Sequence, residues 1–272
     1  MKTFHLHLVS DSTGETVSMV SRACLVQFED IKTTQHVWSM IRERNQIEEV
    51  IENIENNRGF VLYTLIDSEL RTILEEGCRK LQVPCIPILD PIMAALGGYL
   101  GAEVIARPGH QHVMDTEYFN RIEAIHFVLN HDDGQSAWSL DQADVILIGV
   151  SRTSKTPTCI YLANRGIKAA NVPLVPGSPL PPEVIDAAKP LIVGFVHDPK
   201  LLVQIRKNRL RQLEQDEETD YVDIDTVTKE VGEARRLFDK HGWPIIDVTR
   251  KSIEEVSATI LNLHHRRREQ NL

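Results

Sequence analysis

Ser151-Arg152-Thr153-Ser154-Lys155-Thr156 is a run of hydroxyl and cationic side chains that follows Gly149-Val150 at the end of the apolar stretch Val145-Ile146-Leu147-Ile148. From Gly149 to Thr156 it matches the phosphate-binding pattern G-x-x-x-x-G-K-[ST], with Ser154 where the second glycine stands. A loop of this kind, between a strand and a helix, can wrap phosphate oxygens in main-chain N–H groups, and the helix N-terminus adds partial positive charge. Lys155 can then reach the terminal phosphate, and Thr156 can place its hydroxyl on magnesium. Serine at 154 serves if its backbone angle is ordinary, and its hydroxyl can donate to phosphate. The plainer alternative is a capped strand-to-helix turn with Arg152 and Lys155 on the surface.

Phosphoryl transfer also needs carboxylates. Asp198 follows the apolar run Leu191–Val196 and fits either a Walker B-like metal position or, with Pro199, a helix start. Asp132 and Asp133, beside His131 in a polar turn, are metal or base candidates or a solvated turn. Ser10-Asp11-Ser12-Thr13-Gly14-Glu15-Thr16 is a second hydroxyl-rich loop, an anion nest with Asp11 as a base or simply a helix cap by Ser12 or Thr13. Arg206, Arg209 and Arg211 give the helix after Asp198 a basic face, suited to phosphate or merely solvated. His5 and His7 read as structural, and His264-His265-Arg266-Arg267-Arg268 as a frayed basic tail.

Alternating strands and helices position these groups. Strands are expected at 4–9, 34–38, 59–64 and 85–88, with helices after Thr13 (carrying Val17, Val20, Ala23, Cys24 and Phe28) and near 43–56, 68–81 and 92–100. A second series runs through strands at 144–149, 169–175, 191–196 and 244–247, with helices near 199–214, 224–241 and 251–263. The expected fold class is α/β, with two mostly parallel-sheet units, the C-terminal one a P-loop kinase-like domain. The expected division is an N-terminal domain at 1–105, a linker and connecting helix at 106–142, and a nucleotide-binding domain at 143–272. Gly97-Gly98, Gly101 and Arg107-Pro108-Gly109-His110 mark the weakening between them. An acidic break is expected at Gln215-Asp216-Glu217-Glu218.

The 272 residues carry 30 Lys plus Arg against 39 Asp plus Glu, a net charge of −9 that argues against bulk nucleic-acid binding. Cys24, Cys78, Cys85 and Cys159 form no CxxC pair, which points to reduced thiols rather than zinc or disulfides. The apolar start, Phe4 to Val9, is too short for a signal peptide, and no later stretch is long enough to span a membrane. A cytoplasmic protein is the expectation.

Several stretches together carry a resemblance: Val9 to Thr16, Leu129-Asn130-His131-Asp132-Asp133-Gly134, Ala143 to Pro157, Ile205-Arg206 with Arg209-Leu210, and Trp243 to Thr249 running into Ser252-Ile253-Glu254-Glu255. The chain resembles the pyruvate, phosphate dikinase regulatory proteins, a family that includes the phosphoenolpyruvate synthase regulators. The resemblance implies a bifunctional enzyme. One activity phosphorylates a threonine near the dikinase's catalytic histidine, with ADP as donor, and inactivates the target. The other removes that phosphate with orthophosphate as acceptor, releasing pyrophosphate.

ADP would lie on Gly149, Val150, Ser151, Arg152, Thr153, Ser154, Lys155 and Thr156, where serine at 154 fits the family pattern, with Arg206 and Arg209 near it. Lys155 would be catalytic, Asp11, Asp132 and Asp133 would be candidates to orient the acceptor, and Thr156 and Asp198 would hold Mg2+. The loop at Ser12–Thr16 looks closer to regulators of the dikinase than of the synthase. A small-molecule P-loop kinase and a nucleotide-sensing regulator without catalysis are the competing readings. A homodimer is expected from the frequency of twofold assemblies.

Overall fold

The computed structural model describes residues 2–105, 116–213 and 219–270. Arg107-Pro108-Gly109-His110 and Gln215–Glu218 lie outside the described residues. The chain divides into two compact units, Met1–Val113 and Met114–Leu272.

The first unit contains β1 (Lys2–Ser10), α1 (Glu15–Leu25), β2 (Ile31–Trp38), α2 (Arg44–Asn56), β3 (Gly59–Thr64), α3 (Ser68–Lys80), β4 (Cys85–Pro87) and α4 (Asp90–Leu100). Its four described strands pair in parallel in the order β2-β1-β3-β4. Side chains alternate along the strands, so Val9, Val61 and Tyr63 meet Ile47, Val50 and Ile54 of α2 and Leu70 and Leu74 of α3. Leu6 and Leu8 point the other way, onto Val17 of α1.

Two local devices set the helix starts. Glu43 and Gln46 form a capping box on α2, and the Asp67 carboxylate accepts from Glu69 N and Leu70 N on α3. At α1 the expected cap by Ser12 or Thr13 is replaced by Gly14, which has φ 82° and no side-chain cap. The Ser10 hydroxyl instead accepts from Ser12 N, so the loop bonds to itself. The helix also stops at Leu25, leaving Phe28 exposed.

The second unit begins with α5 (Thr116–Asn130), 3-10 turns at Asp132–Gly134 and Ala137–Gln142, and β5 (Val145–Gly149). It continues with α6 (Lys155–Ala163), β6 (Ala169–Pro173), α7 (Pro182–Ile185) and β7 (Leu191–Val196). After α8 (Pro199–Gln212) come a 3-10 turn at Asp220–Val222, α9 (Ile224–His241), β8 (Ile245–Asp247) and α10 (Ile253–Gln270).

Its strands are parallel in the order β6-β5-β7-β8. Every residue of β5 and β7 is buried because helices cover both faces. Ile146 and Ile148 pack with Leu202 of α8 and Val227, Val231 and Phe238 of α9. Val145 and Leu147 pack with Cys159 and Leu162 of α6 and Val256 and Ile260 of α10.

The helix and turns read from sequence as connecting segment supply Phe127, Val128 and Leu140 to these cores. The basic tail is not frayed: α10 continues through it, with His264 buried one helical stripe beyond Val256 and Ile260 and Arg267 donating to Ala188 O.

Both units share one wiring. The chain leaves the first strand of each sheet to one side and returns to its other side for the third. That reversal opens a crevice beyond the carboxyl ends of the first and third strands, β1 and β3 in one unit and β5 and β7 in the other. The two hydroxyl-rich loops singled out from sequence are the ones that leave β1 and β5.

Candidate phosphate-binding site

The loop from β5 to α6 is shaped by close packing below it and unusual backbone within it. A Cβ on Gly149 would stand 2.8 Å from Phe195 O and 3.0 Å from Thr153 Oγ1, so glycine lets the loop fold back over β7. Thr153 is buried and donates to Val150 O at 2.9 Å. Arg152 and Ser154 both take left-handed backbone, at φ 69° and φ 61°. Serine at 154 thus holds the conformation glycine would adopt without cost, not an ordinary one, and the strain is on the order of 1 kcal/mol. Lys155 and Thr156 open α6, whose first-turn amides have no intrahelical partner.

Lys155 is 5% exposed, and its ammonium donates to Val150 O at 3.0 Å. Burial pushes its pKa down to about 8, although Asp133, Cys159 and Asp132 pull the other way; Arg206 adds to the lowering. The same burial pushes the Cys159 thiol up. The cavity over the loop has a volume of about 330 Å³ and is lined by Ser151 to Pro157 together with Asp133, Asn171, Pro173 and Ile205. Lysine, main-chain amides and hydroxyls converge there, a set suited to an anion.

The facing wall is a carboxylate cluster. Thr156 Oγ1 donates to Asp132 Oδ1 at 2.9 Å, and Asn171 Nδ2 lies 2.6 Å from the same oxygen. Asp133 sits at φ 50° in the 3-10 turn and borders the cavity. His131 is locked beneath them: its ring nitrogens contact Phe127 O and Ser139 Oγ, and its ring stacks on Phe127.

Arg206 departs from the solvated basic face. It is 1% exposed, and its guanidinium pairs with Glu230 Oε2 at 2.8 Å, donates to Tyr221 O and Ser151 O, and lies over the Tyr221 ring. Tyr221 OH is 3.1 Å from Ser151 Oγ. Arg206 therefore supports the loop from below. Arg209 is half-buried, with its Nε in the interior. Asp198 caps α8, its carboxylate accepting from Leu201 N at 2.9 Å.

Asp11 belongs to the first unit. It is 2% exposed, accepts from Ile66 N at 2.6 Å, and its main-chain oxygen accepts from Arg42 Nε. Burial raises its pKa, opposed first by the Ile66 hydrogen bond. Asp11→Ala should cost about 1–3 kcal/mol in urea unfolding, the penalty of stranding a half-buried amide. An unchanged midpoint would remove that structural role.

Sequence reasoning missed Asn171, Tyr221 and Glu230. Asn171 left a trace, a polar residue inside the otherwise apolar strand Ala169–Pro173. Tyr221 and Glu230 left none, because their importance lies in contacts with residues far away in sequence.

A family model described as kinase/pyrophosphorylase matches residues 6–261 of the chain. The chain belongs to the kinase/pyrophosphorylase family. Its relatives extend over both units. One from Paramagnetospirillum magneticum, named "Putative pyruvate, phosphate dikinase regulatory protein", is 59% identical over 266 residues, covering 98% of this chain and 86% of the relative. One of the same name from Rhodospirillum rubrum is 54% identical over 261 residues, covering 96% and 95%. The kinase/pyrophosphorylase match takes in both strand-to-helix loops and the Asp132–Asp133 turn.

Proposed function

We propose that this protein is the bifunctional regulator of pyruvate, phosphate dikinase, with the β5–α6 loop acting as a P-loop for ADP. The single observation behind this reading is the near full-length identity with proteins that carry that name. The anion-suited cup around Lys155 supports it, since a kinase/pyrophosphorylase must hold phosphate in both directions. A cytoplasmic setting and dikinase, rather than synthase, as the protein substrate are part of the same reading.

In the forward direction the target threonine oxygen attacks the β-phosphorus of ADP. The bond from that phosphorus to the bridging oxygen breaks, AMP leaves with the oxygen, and the threonine proton goes to a base. Asp133, exposed at the cavity edge, is our candidate for that base. Lys155 and the loop amides offset charge on the phosphoryl oxygens. In the reverse direction orthophosphate attacks phosphothreonine, pyrophosphate forms, and the threonine regains a proton. Asp11 serves the fold of the first unit in this scheme.

Phosphoryl transfer of this type uses Mg2+, and the residues present suit it. Thr156 and Asp132 offer hard oxygen donors, and Mg2+ typically takes one or two carboxylates and completes its shell with water and phosphate. Bound there, the ion would neutralise charge on the transferring group. Asp198 is left as a helix cap.

The deciding experiment is transfer from β-labelled ADP to purified dikinase whose histidine is already phosphorylated. Threonine labelling with equal AMP release is expected. Labelling of phosphoenolpyruvate synthase alone would move the target, and labelling of neither would overturn the proposal.

The reading also gives a pH dependence. The cup's lysine has a lowered pKa without ligand, and a bound phosphate would favour its charged form. ADP affinity should therefore fall as pH rises through about 8. Calorimetric titration from pH 7 to 9.5 measures this, and Lys155→Arg, which stays charged, should flatten the profile.

A further inference from the structure

The ADP reading leaves one buried group beside Thr156 unexplained. Asn171 is 2% exposed, pairs with Leu147 across the sheet, and donates from its main-chain N–H to His131 O at 3.0 Å. Its amide nitrogen faces three oxygens: Asp132 Oδ1 at 2.6 Å, Thr156 Oγ1 at 2.9 Å and Asp133 Oδ1 at 3.2 Å. A primary amide has two hydrogens, so three acceptors exceed its capacity. Its Oδ1, meanwhile, is buried with no hydrogen-bond partner, a costly state for an acceptor.

Two carboxylate oxygens and a hydroxyl gathered about one point are hard donors of the kind a divalent cation takes from a protein, with water and phosphate completing its shell. Asparagine χ2 is a broad, roughly twofold torsion, so a half-turn exchanges nitrogen for oxygen without moving the backbone. With nitrogen inward, N–H groups hold the three oxygens together. With Oδ1 inward, four oxygens face one another and need a cation among them.

We propose that Asn171 is a reversible plug of a divalent-cation site: its amide bridges Asp132, Asp133 and Thr156 while no metal is bound, and turns to supply Oδ1 as a ligand when Mg2+ enters. The inference rests on reading the adjoining loop as a nucleotide site, but its test does not need nucleotide.

Mn2+ binding to the full-length protein is followed by electron paramagnetic resonance, with ADP binding in EDTA measured separately. Asn171→Leu should weaken Mn2+ binding about tenfold or more. Asn171→Asp cannot donate, so it should melt below wild type in EDTA, bind Mn2+ more tightly, and recover its melting temperature when Mn2+ is added. It also keeps the test decisive if the leucine variant fails to fold. Equal Mn2+ affinity in wild type and Asn171→Leu, or a melting temperature of Asn171→Asp that ignores Mn2+, would overturn the plug. Asn171-dependent Mn2+ binding without ADP binding would sustain it and sink the nucleotide reading. ADP binding with Mn2+ affinity indifferent to Asn171 would do the reverse.

Discussion

Lys155→Ala is expected to lower ADP-dependent threonine phosphorylation by about 10²–10³-fold, the usual effect of removing one donor to developing charge in a shielded site. The ammonium is almost fully buried, and its hydrogen bond to Val150 O keeps it inside the cup. Alanine should not unfold the second unit, because burying that charge is itself unfavourable, as the lowered pKa records. Single-turnover transfer and thermal melting on the same preparation separate the two effects. A variant with normal melting and normal transfer would remove the loop from the chemistry.

Glu230→Ala should cost stability instead, by about 3 kcal/mol, because it leaves the Arg206 guanidinium buried without its counter-charge. The damage should reach the loop, since Arg206 also contacts Ser151 O and the Tyr221 ring. Denaturant unfolding should show the loss. Glu230→Gln, which keeps an acceptor oxygen, should recover part of it. If Glu230→Ala unfolds at the wild-type midpoint, Arg206 does not support the loop in the way its contacts indicate.

The α/β alternation, the eight strands among the described residues and the polar turn from β5 to α6 were legible in the sequence because each is a local pattern. Apolar runs such as Val145–Ile148 and Leu191–Phe195 announce strands buried on both faces. The loop announces itself by crowding polar side chains between two such elements. What escaped depends on contacts between distant residues. Arg206 looked like part of a basic surface because Arg209 and Arg211 share its helix, whereas Glu230, Tyr221 and Ser151 draw it inward. The tail at 264–268 looked frayed because its charges hide a stripe that a longer helix completes. Thr13 and Ser12 looked like caps, whereas Gly14 supplies the turn by its backbone alone. Asn171 showed only its polarity, and its two carboxylate partners come from a turn about forty residues away.

Asp133, Ser136, Arg152 and Ser154 all hold left-handed backbone without being glycine, and all lie in the loop or in the segment facing it. At about 1 kcal/mol each, the unit forgoes some 4 kcal/mol of stability to keep this region in shape. Natural drift toward glycine at these places would make the protein sturdier and its loop more pliable. On the proposed reading of the loop as an anion site, retaining side chains there commits the chain to one form of the cup before any ligand arrives, a mould more than a closing hand.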